Sequence, residues 1–486
     1  MLFNSFEYAI FLPVVFLIYW FVVNKNLKLQ NLALLCASYL FYGWWDYRFL
    51  LLIFISTVAD YVLGQKIEGT DNLKLKRLFL RLSVLANLGL LGFFKYYNFF
   101  IESWINAWGT FGVDFSGSST LNIILPVGIS FYTFQTMSYS LDIYKGQLKP
   151  TKDFIAFGAF VSFFPQLVAG PIERASNLLP QILRKRVFNA EDAKDGLRQI
   201  LMGLFKKVLV ADTLAKIVES TFSGDESLSA STLAVGAVCF SFQIYADFSG
   251  YSDIAIGTAK LFGVRLMTNF RFPFFSRSIS EFWRRWHISL YSWLNDYVFL
   301  PLNIRFRFWG KIGLLLAVWM TFGISGLWHG AGWNYVLFGL IQAAYLTPVI
   351  FFGKLGAISS RKLKKSDRLS SKGTLLRDIF KMLLTFILIN ISFIFFRAPT
   401  VAEGWNYVVN LFDASLFSPP FLRTKRPFIF LIILILMEWF NRDKEHAMEW
   451  TDSKTPRWVR WGIYYAIIAM MFLFGGETQE FIYFQF

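Results

Sequence analysis

Long apolar runs recur from one end of this chain to the other, separated by short polar stretches. Residues 4–23, 31–45, 48–64, 82–100, 200–221, 232–260, 335–352, 378–396 and 459–474 are each predominantly apolar. A bilayer core of roughly 30 Å is spanned by about 17–25 such residues as helix. Barrel strands would instead alternate polar and apolar positions over about ten residues. The pattern predicts an all-α, polytopic integral membrane protein with about eleven transmembrane or re-entrant helices, forming a single membrane domain over 1–486.

Several stretches are too polar to face lipid and too apolar for loops. In "LPVGISFYTFQTMSYSLDIYKG" (125–146), Gln135, Ser138 and Asp142 recur at three and four residues and share one helical face. In "SFQIYADFSGYSDIAIG" (241–257), Gln243 and Asp247 are four apart, and Gly250 weakens the helix beside Asp253. "FFPQLVAGPIER" (163–174) places Pro165, Gly170 and Pro171 close together, which predicts a broken helix or re-entrant turn. Each acid is read either as a structural partner across a helix interface or as the mark of a wet interior.

Composition agrees with the pattern: 55% of residues are hydrophobic, 20% aromatic and only 16% charged. The net charge of +16 does not imply nucleic acid, because the basic residues cluster between apolar runs. Lys66, Lys74, Lys76, Arg77 and Arg81 mark one cytoplasmic stretch, and Lys354, Arg361, Lys362, Lys364, Lys365, Arg368, Lys372 and Arg377 mark another. Stretches 103–120 and 222–232 carry no Lys or Arg. The bias places the N-terminus outside, and "MLFNSFEYAI" lacks the basic region of a cleavable signal peptide. Cys36 and Cys239 lie in apolar runs and are expected to be buried, inert thiols.

Three histidines occur in the chain. His446, in "NRDKEHAMEW", reads as solvated. His287 follows a capping-box spacing, Ser278 to Glu281, and the pattern predicts one helix onward, with Phe282, Trp286, Ser289, Trp293 and Asp296 on one face and Arg284, His287 and Tyr291 on another. His329 lies in "TFGISGLWHGAGWNYVLFG" (321–339), where glycines predict a break between apolar stretches 312–328 and 335–352. Asn334 and Tyr335 stand near enough in sequence to offer it hydrogen bonds. Imidazole near neutrality serves as a general base or a metal ligand. Two histidines without a nearby acid at the expected spacing fall short of a catalytic zinc set, so no metal is assigned.

Several of these segments together resemble the membrane-bound O-acyltransferase family: "FFKYYNFF" (93–100), "PVGISFYTFQTMSYSLDIY" (126–144), "FFPQLVAGPIER" (163–174), "YADFSGYSDIAIG" (245–257), "ISEFWRRWHISLYSWLNDYVFLPL" (279–302), "SGLWHGAGWNYVLFG" (325–339), "FFRA" (395–398) and "EFIYFQF" (480–486). Within that family the chain is most similar to the alginate O-acetyltransferase, AlgI-like branch, with D-alanyl transferases more distant. The resemblance implies His329 as the catalytic histidine and His287 as the second site residue, beside a central tunnel for which Trp286, Ser289, Trp328, Asn334, Gln135, Asp142 and Asp247 are candidate lining. It implies no bound cofactor. An acyl thioester, acetyl-CoA or acyl-carrier protein, would arrive on the cytoplasmic side of a bacterial inner membrane. A periplasmic partner protein or a polysaccharide acceptor would receive the acetyl group. The competing readings are a D-alanyl transferase and a polysaccharide transporter or flippase; the latter accounts for polar helices but not for the paired histidine motifs.

Overall fold

The computed structural model describes all residues except 113–120, 122, 169, 226, 353–374, 423, 451–454, 477–478 and 485–486. The basic run 354–372 and much of the Lys/Arg-free stretch 103–120 therefore lie outside the described residues. Among the described residues every regular element is helical. Six helical stretches are long and apolar enough to cross a bilayer: Arg48–Glu68, Leu73–Gly109, Ala230–Leu261, Arg307–His329, Trp333–Phe352 and Leu375–Arg397. Phe6–Val22 and Phe154–Leu167 are apolar but shorter.

The chain divides into two compact units. The first, Met1–Gly196 with Thr258–Met267, holds α1 (Phe6–Leu17), α2 (Leu27–Gly43), α3 (Arg48–Glu68), α4 (Leu73–Leu91), α5 (Tyr97–Gly109), α6 (Ile129–Tyr144), α7 (Phe154–Val161), α8 (Phe164–Leu167) and α9 (Ala175–Ile182). As the prolines predict, 163–174 is broken: α8 is a single turn, and irregular chain leads from it to α9. Several polar side chains on α6 are buried and hydrogen-bonded. Gln135 donates to the Phe160 carbonyl (2.7 Å) and accepts from Gln166 (2.8 Å). Ser140, Ser83 and Asn87 surround the Asp60 carboxylate. Glu173 accepts from Asn177 (2.6 Å) and from the Met267 amide. Cys36 is exposed on α2 and not buried as expected, because it falls on the outward side of that helix; Cys239 is buried.

The second unit, Leu197–Gly257 with Thr268–Phe486, is built around the larger part of α12 (Ala230–Leu261), preceded by α10 (Ala190–Leu204) and α11 (Asp212–Thr221). Gly250 does not interrupt α12. It lets two helices cross closely, since a Cβ there would press on the Gly203 carbonyl. The run 200–221 is not one apolar span. A π-helical turn, Phe205–Ala211, buries Lys206 and Lys207 within it. Such a turn changes which way successive side chains point, so the two lysines reach different acids. Lys206 lies 2.9 Å from Asp253 and 3.2 Å from Glu438; Lys207 lies 2.8 Å from Asp247 and 2.9 Å from Asp212. Then follow α13 (Ile279–Trp283), α14 (Ile288–Leu294), α15 (Leu300–Arg305), α16 (Gly310–His329), α17 (Trp333–Phe352), α18 (Leu375–Arg397), α19 (Val401–Asn410), α20 (Arg426–Phe440) and α21 (Arg457–Phe474).

Candidate active site

His287 and His329 both belong to the second unit, and its folding brings their rings to 6.3 Å between centroids. Both are buried, at 1% and 3% exposure. They reach this position by different local devices.

His329 is the last residue of α16, and the glycine-marked break expected after it is present: α17 starts at Trp333. The two helices pack backbone to backbone. A Cβ at Gly326 would run into the Tyr335 carbonyl, and one at Gly339 into the Phe322 carbonyl. The close packing sets where α16 ends and hence where the imidazole sits. Its ring lies against Trp328 (5.1 Å), Phe396 (5.4 Å) and Phe338 (5.9 Å). The Tyr483 hydroxyl stands 3.4 Å from Nδ1.

His287 departs from the expected continuous helix. The Ser278 hydroxyl does cap α13 by accepting from the Glu281 amide at 3.2 Å. The Glu281 carboxylate turns instead to Arg277 and to Arg285, the latter at 2.8 Å. The helix then stops at Trp283, and α14 begins only after His287, which adopts left-handed backbone angles, φ 43° and ψ 52°. The two predicted faces therefore do not exist across this break. Among the described residues the only non-glycine residues with positive φ are His287 and Phe272. That conformation costs roughly 1–3 kcal/mol in a non-glycine residue and persists only where neighbours hold it.

Asn269 holds it. Its carbonyl accepts from the Ile288 amide at 2.9 Å, and its side-chain oxygen accepts from the Ser289 amide (3.3 Å) and hydroxyl (2.9 Å). Its own amide donates to the Ser252 hydroxyl on α12 at 3.2 Å. The Arg271 amide donates to the Arg285 carbonyl at 2.9 Å, fixing the other side of the turn.

The imidazole thus displayed meets Phe248 edge-on at 4.7 Å and Trp328 at 5.6 Å. Neither of its ring nitrogens has a hydrogen-bond partner among the described residues. Burial, and after it the proximity of His329, holds the ring well below the ordinary histidine pKa, so it stays neutral. It opens on an apolar cavity of about 50 Å³ lined by Trp283, Leu290, Leu294 and Phe322, with Tyr291 and Ser325 adding polar edges. A buried polar ring without a partner costs roughly 1–3 kcal/mol. A neutral imidazole there can donate from one nitrogen and accept at the other.

Trp286 stacks on Phe282 at 5.3 Å and forms part of an aromatic wall with Phe270. Ser289 belongs to the Asn269 turn. Trp328 flanks both histidines, 5.6 and 5.1 Å from their rings. Asn334 donates to the Ala398 carbonyl at 2.9 Å, tying the start of α17 to the end of α18. Asp247 is paired with Lys207, and it also accepts from the Ile482 amide at 2.7 Å. Gln135 and Asp142 are buried on α6 in the first unit. His446 is not solvated: it is 2% exposed, and its Nδ1 accepts from the Met448 amide at 3.3 Å. Asn269, Phe248 and Tyr483 were not singled out from sequence. Phe248 and Tyr483 left a trace there, inside "YADFSGYSDIAIG" and "EFIYFQF"; Asn269 left none.

A family model described as MBOAT, membrane-bound O-acyltransferase family, matches residues 148–357, which include both histidines. The probable alginate O-acetylase AlgI of Azotobacter vinelandii is 34% identical over 83% of this chain and 76% of its own length. The chain belongs to the membrane-bound O-acyltransferase family. A peptidoglycan O-acetyltransferase of Helicobacter pylori matches along nearly its whole length, 31% identical over 100% of this chain and 98% of the relative. A teichoic acid D-alanyltransferase of Bacillus subtilis is more distant, 29% identical over 48% of this chain. The protein is thus a polytopic membrane O-acyltransferase, and the paired imidazoles are its candidate catalytic centre.

Proposed function

We propose that this O-acyltransferase carries an acetyl group from a cytoplasmic thioester, acetyl-CoA or an acyl-carrier protein, to a hydroxyl of an extracytoplasmic polysaccharide, directly or by way of a periplasmic partner. The site works in a bacterial cytoplasmic membrane with the N-terminus outside. The observation that carries this reading is the meeting of two buried imidazoles, one of them held in strained backbone with both nitrogens open to an incoming group. The names of the acetylating relatives, one for alginate and one for peptidoglycan, favour a glycan acceptor.

In the proposed step the acceptor hydroxyl attacks the thioester carbonyl while His329 takes its proton. The carbon–sulfur bond breaks, an oxygen ester forms, and the proton leaves His329 with the departing thiolate. His287 donates a hydrogen bond to the carbonyl oxygen as negative charge gathers on it. General-base assistance is worth about 10² to 10⁴ in rate, and positioning of the reactants supplies much of the remainder. The test is transfer of radiolabelled acetyl from the thioester in membrane vesicles. His329→Ala is expected to cut labelling of acceptor or partner by about 10² to 10⁴ at unchanged protein abundance. Labelling at the wild-type rate in that variant would remove His329 from the chemistry.

A further inference from the structure

Two adjacent buried lysines face separate carboxylate pairs, and among the described residues only Lys207 also holds main chain. The Lys207 ammonium, on a side chain 1% exposed, lies between Asp247 and Asp212 and donates its remaining reach to the Gln479 carbonyl at 2.9 Å. Three oxygens around one ammonium match its three protons. Asp247 is bidentate in the same sense: one oxygen faces Lys207 at 2.8 Å, and the other accepts from the Ile482 amide at 2.7 Å. One ion pair therefore grips segment 479–484 at two backbone groups three residues apart.

Phe481 and Tyr483 of that segment pack against α12 beside the site. Phe481 packs on Tyr251 at 4.2 Å, and Tyr483 packs on Phe248 at 4.4 Å, the same ring that meets His287 edge-on. Tyr483 then brings its hydroxyl to His329 Nδ1. A buried ion pair by itself contributes little net stability, and apolar residues of similar volume would often serve as well. The two attachments to main chain give this one a specific task.

We propose that Lys207 and Asp247 are positioning residues for acyl transfer, clamping the backbone of 479–484 so that the segment supports the His329 ring. They act through Tyr483 and touch no reactant. This rests on the reading of His329 as the base. Losing the clamp leaves the donor site intact and lets the imidazole wander, so kcat falls while KM for the donor holds.

The cleanest test leaves the charge cluster whole. Ile482→Pro deletes the main-chain N–H that Asp247 accepts, at the first position of a short helical turn where proline fits. Ile482→Ala loses similar packing but keeps that N–H. With purified protein in nanodiscs and acetyl-CoA as donor, Ile482→Pro is expected to show kcat about tenfold or more below Ile482→Ala, the scale of a hydrogen bond to a charged group. KM for acetyl-CoA should agree within about twofold between them, and amide exchange across 479–484 should be faster in the proline variant. Lys207→Met should repeat the kcat loss and the faster exchange. Equal kcat in the two Ile482 variants, equal exchange across 479–484, or wild-type kcat in Lys207→Met would each overturn the proposal. Those outcomes leave His329→Ala strongly impaired; if instead the His329→Ala protein transfers acetyl normally, the underlying reading of the base has failed.

Discussion

Asn269 offers the most quantitative handle on the site, because it lies outside the reacting pair yet determines where His287 points. Asn269→Ala removes three side-chain hydrogen bonds, at 3.2, 3.3 and 2.9 Å, and leaves the main-chain bond to Ile288 in place. At about 1 kcal/mol each, less for the two longer ones, they sum to about 2–3 kcal/mol. That is the size of the strain in a left-handed non-glycine residue, about 1–3 kcal/mol. Without them the turn has enough reason to relax toward the continuous helix its sequence prefers, carrying the imidazole away. If the whole loss appears in the barrier, transfer falls roughly 30- to 150-fold, at about 1.4 kcal/mol per factor of ten. Ser289→Ala removes one of these three, the 2.9 Å bond, and should cost about fivefold. The assay is initial rate of acetyl transfer in vesicles, normalised to the amount of protein in the membrane. An Asn269→Ala variant at the wild-type rate, or one less impaired than Ser289→Ala, would refute the idea that this turn holds the histidine in register.

Three further outcomes follow from the same geometry. At His287, asparagine tolerates the left-handed conformation better than alanine does, so His287→Asn should unfold at higher temperature than His287→Ala in detergent, by a stability difference of about 1 kcal/mol; equal or reversed midpoints would count against strain at this residue. Gly326→Ala drives a methyl group into the Tyr335 carbonyl and should destabilise by about 1–3 kcal/mol as overpacking does, read as a lowered thermal midpoint; a wild-type midpoint would mean the helices part freely. Glu173, outside the six long helices, has its carboxyl pushed up to about 7 by burial, against the pull of the Met267 amide and Asn177. Its folded pKa is raised, so the stability it contributes is full below the ordinary carboxyl range and is lost as pH rises toward 7. Glu173→Gln should therefore gain stability relative to wild type between pH 5 and pH 8, in a series of thermal midpoints; parallel curves would show that the group does not titrate in this range.

Much of the architecture is legible because lipid imposes a simple rule on apolar runs. The break after His329 is legible too, since Gly330 and Gly332 interrupt the run where α16 gives way to α17. The break before His287 is not. "WRRWHISL" contains neither glycine nor proline, and local preference favours helix throughout. The turn exists because Asn269, remote in sequence, bonds to its backbone. The partners of Asp247 and Asp253 were hidden for a related reason: Lys206 and Lys207 lie inside a run read as a membrane span, and only a π-helical turn aims them at their acids. Six helical stretches among the described residues are long and apolar enough to cross a bilayer, fewer than the eleven expected, because other runs form helices that are shorter or carry charged side chains. Cys36 and His446 show the limit of reading exposure from neighbours in sequence, since the apolar surroundings of one and the charged surroundings of the other each pointed the wrong way.

The central claim, that His287 and His329 act on one transition state, is tested most directly by a double-mutant cycle on acetyl transfer, using His287→Ala, His329→Ala and the double variant at matched abundance in the membrane. Residues that serve a single step are strongly non-additive, so the double variant is predicted to be no slower than His329→Ala within about threefold. Multiplying losses, as from two unrelated sites, or wild-type turnover in either single variant would contradict the account.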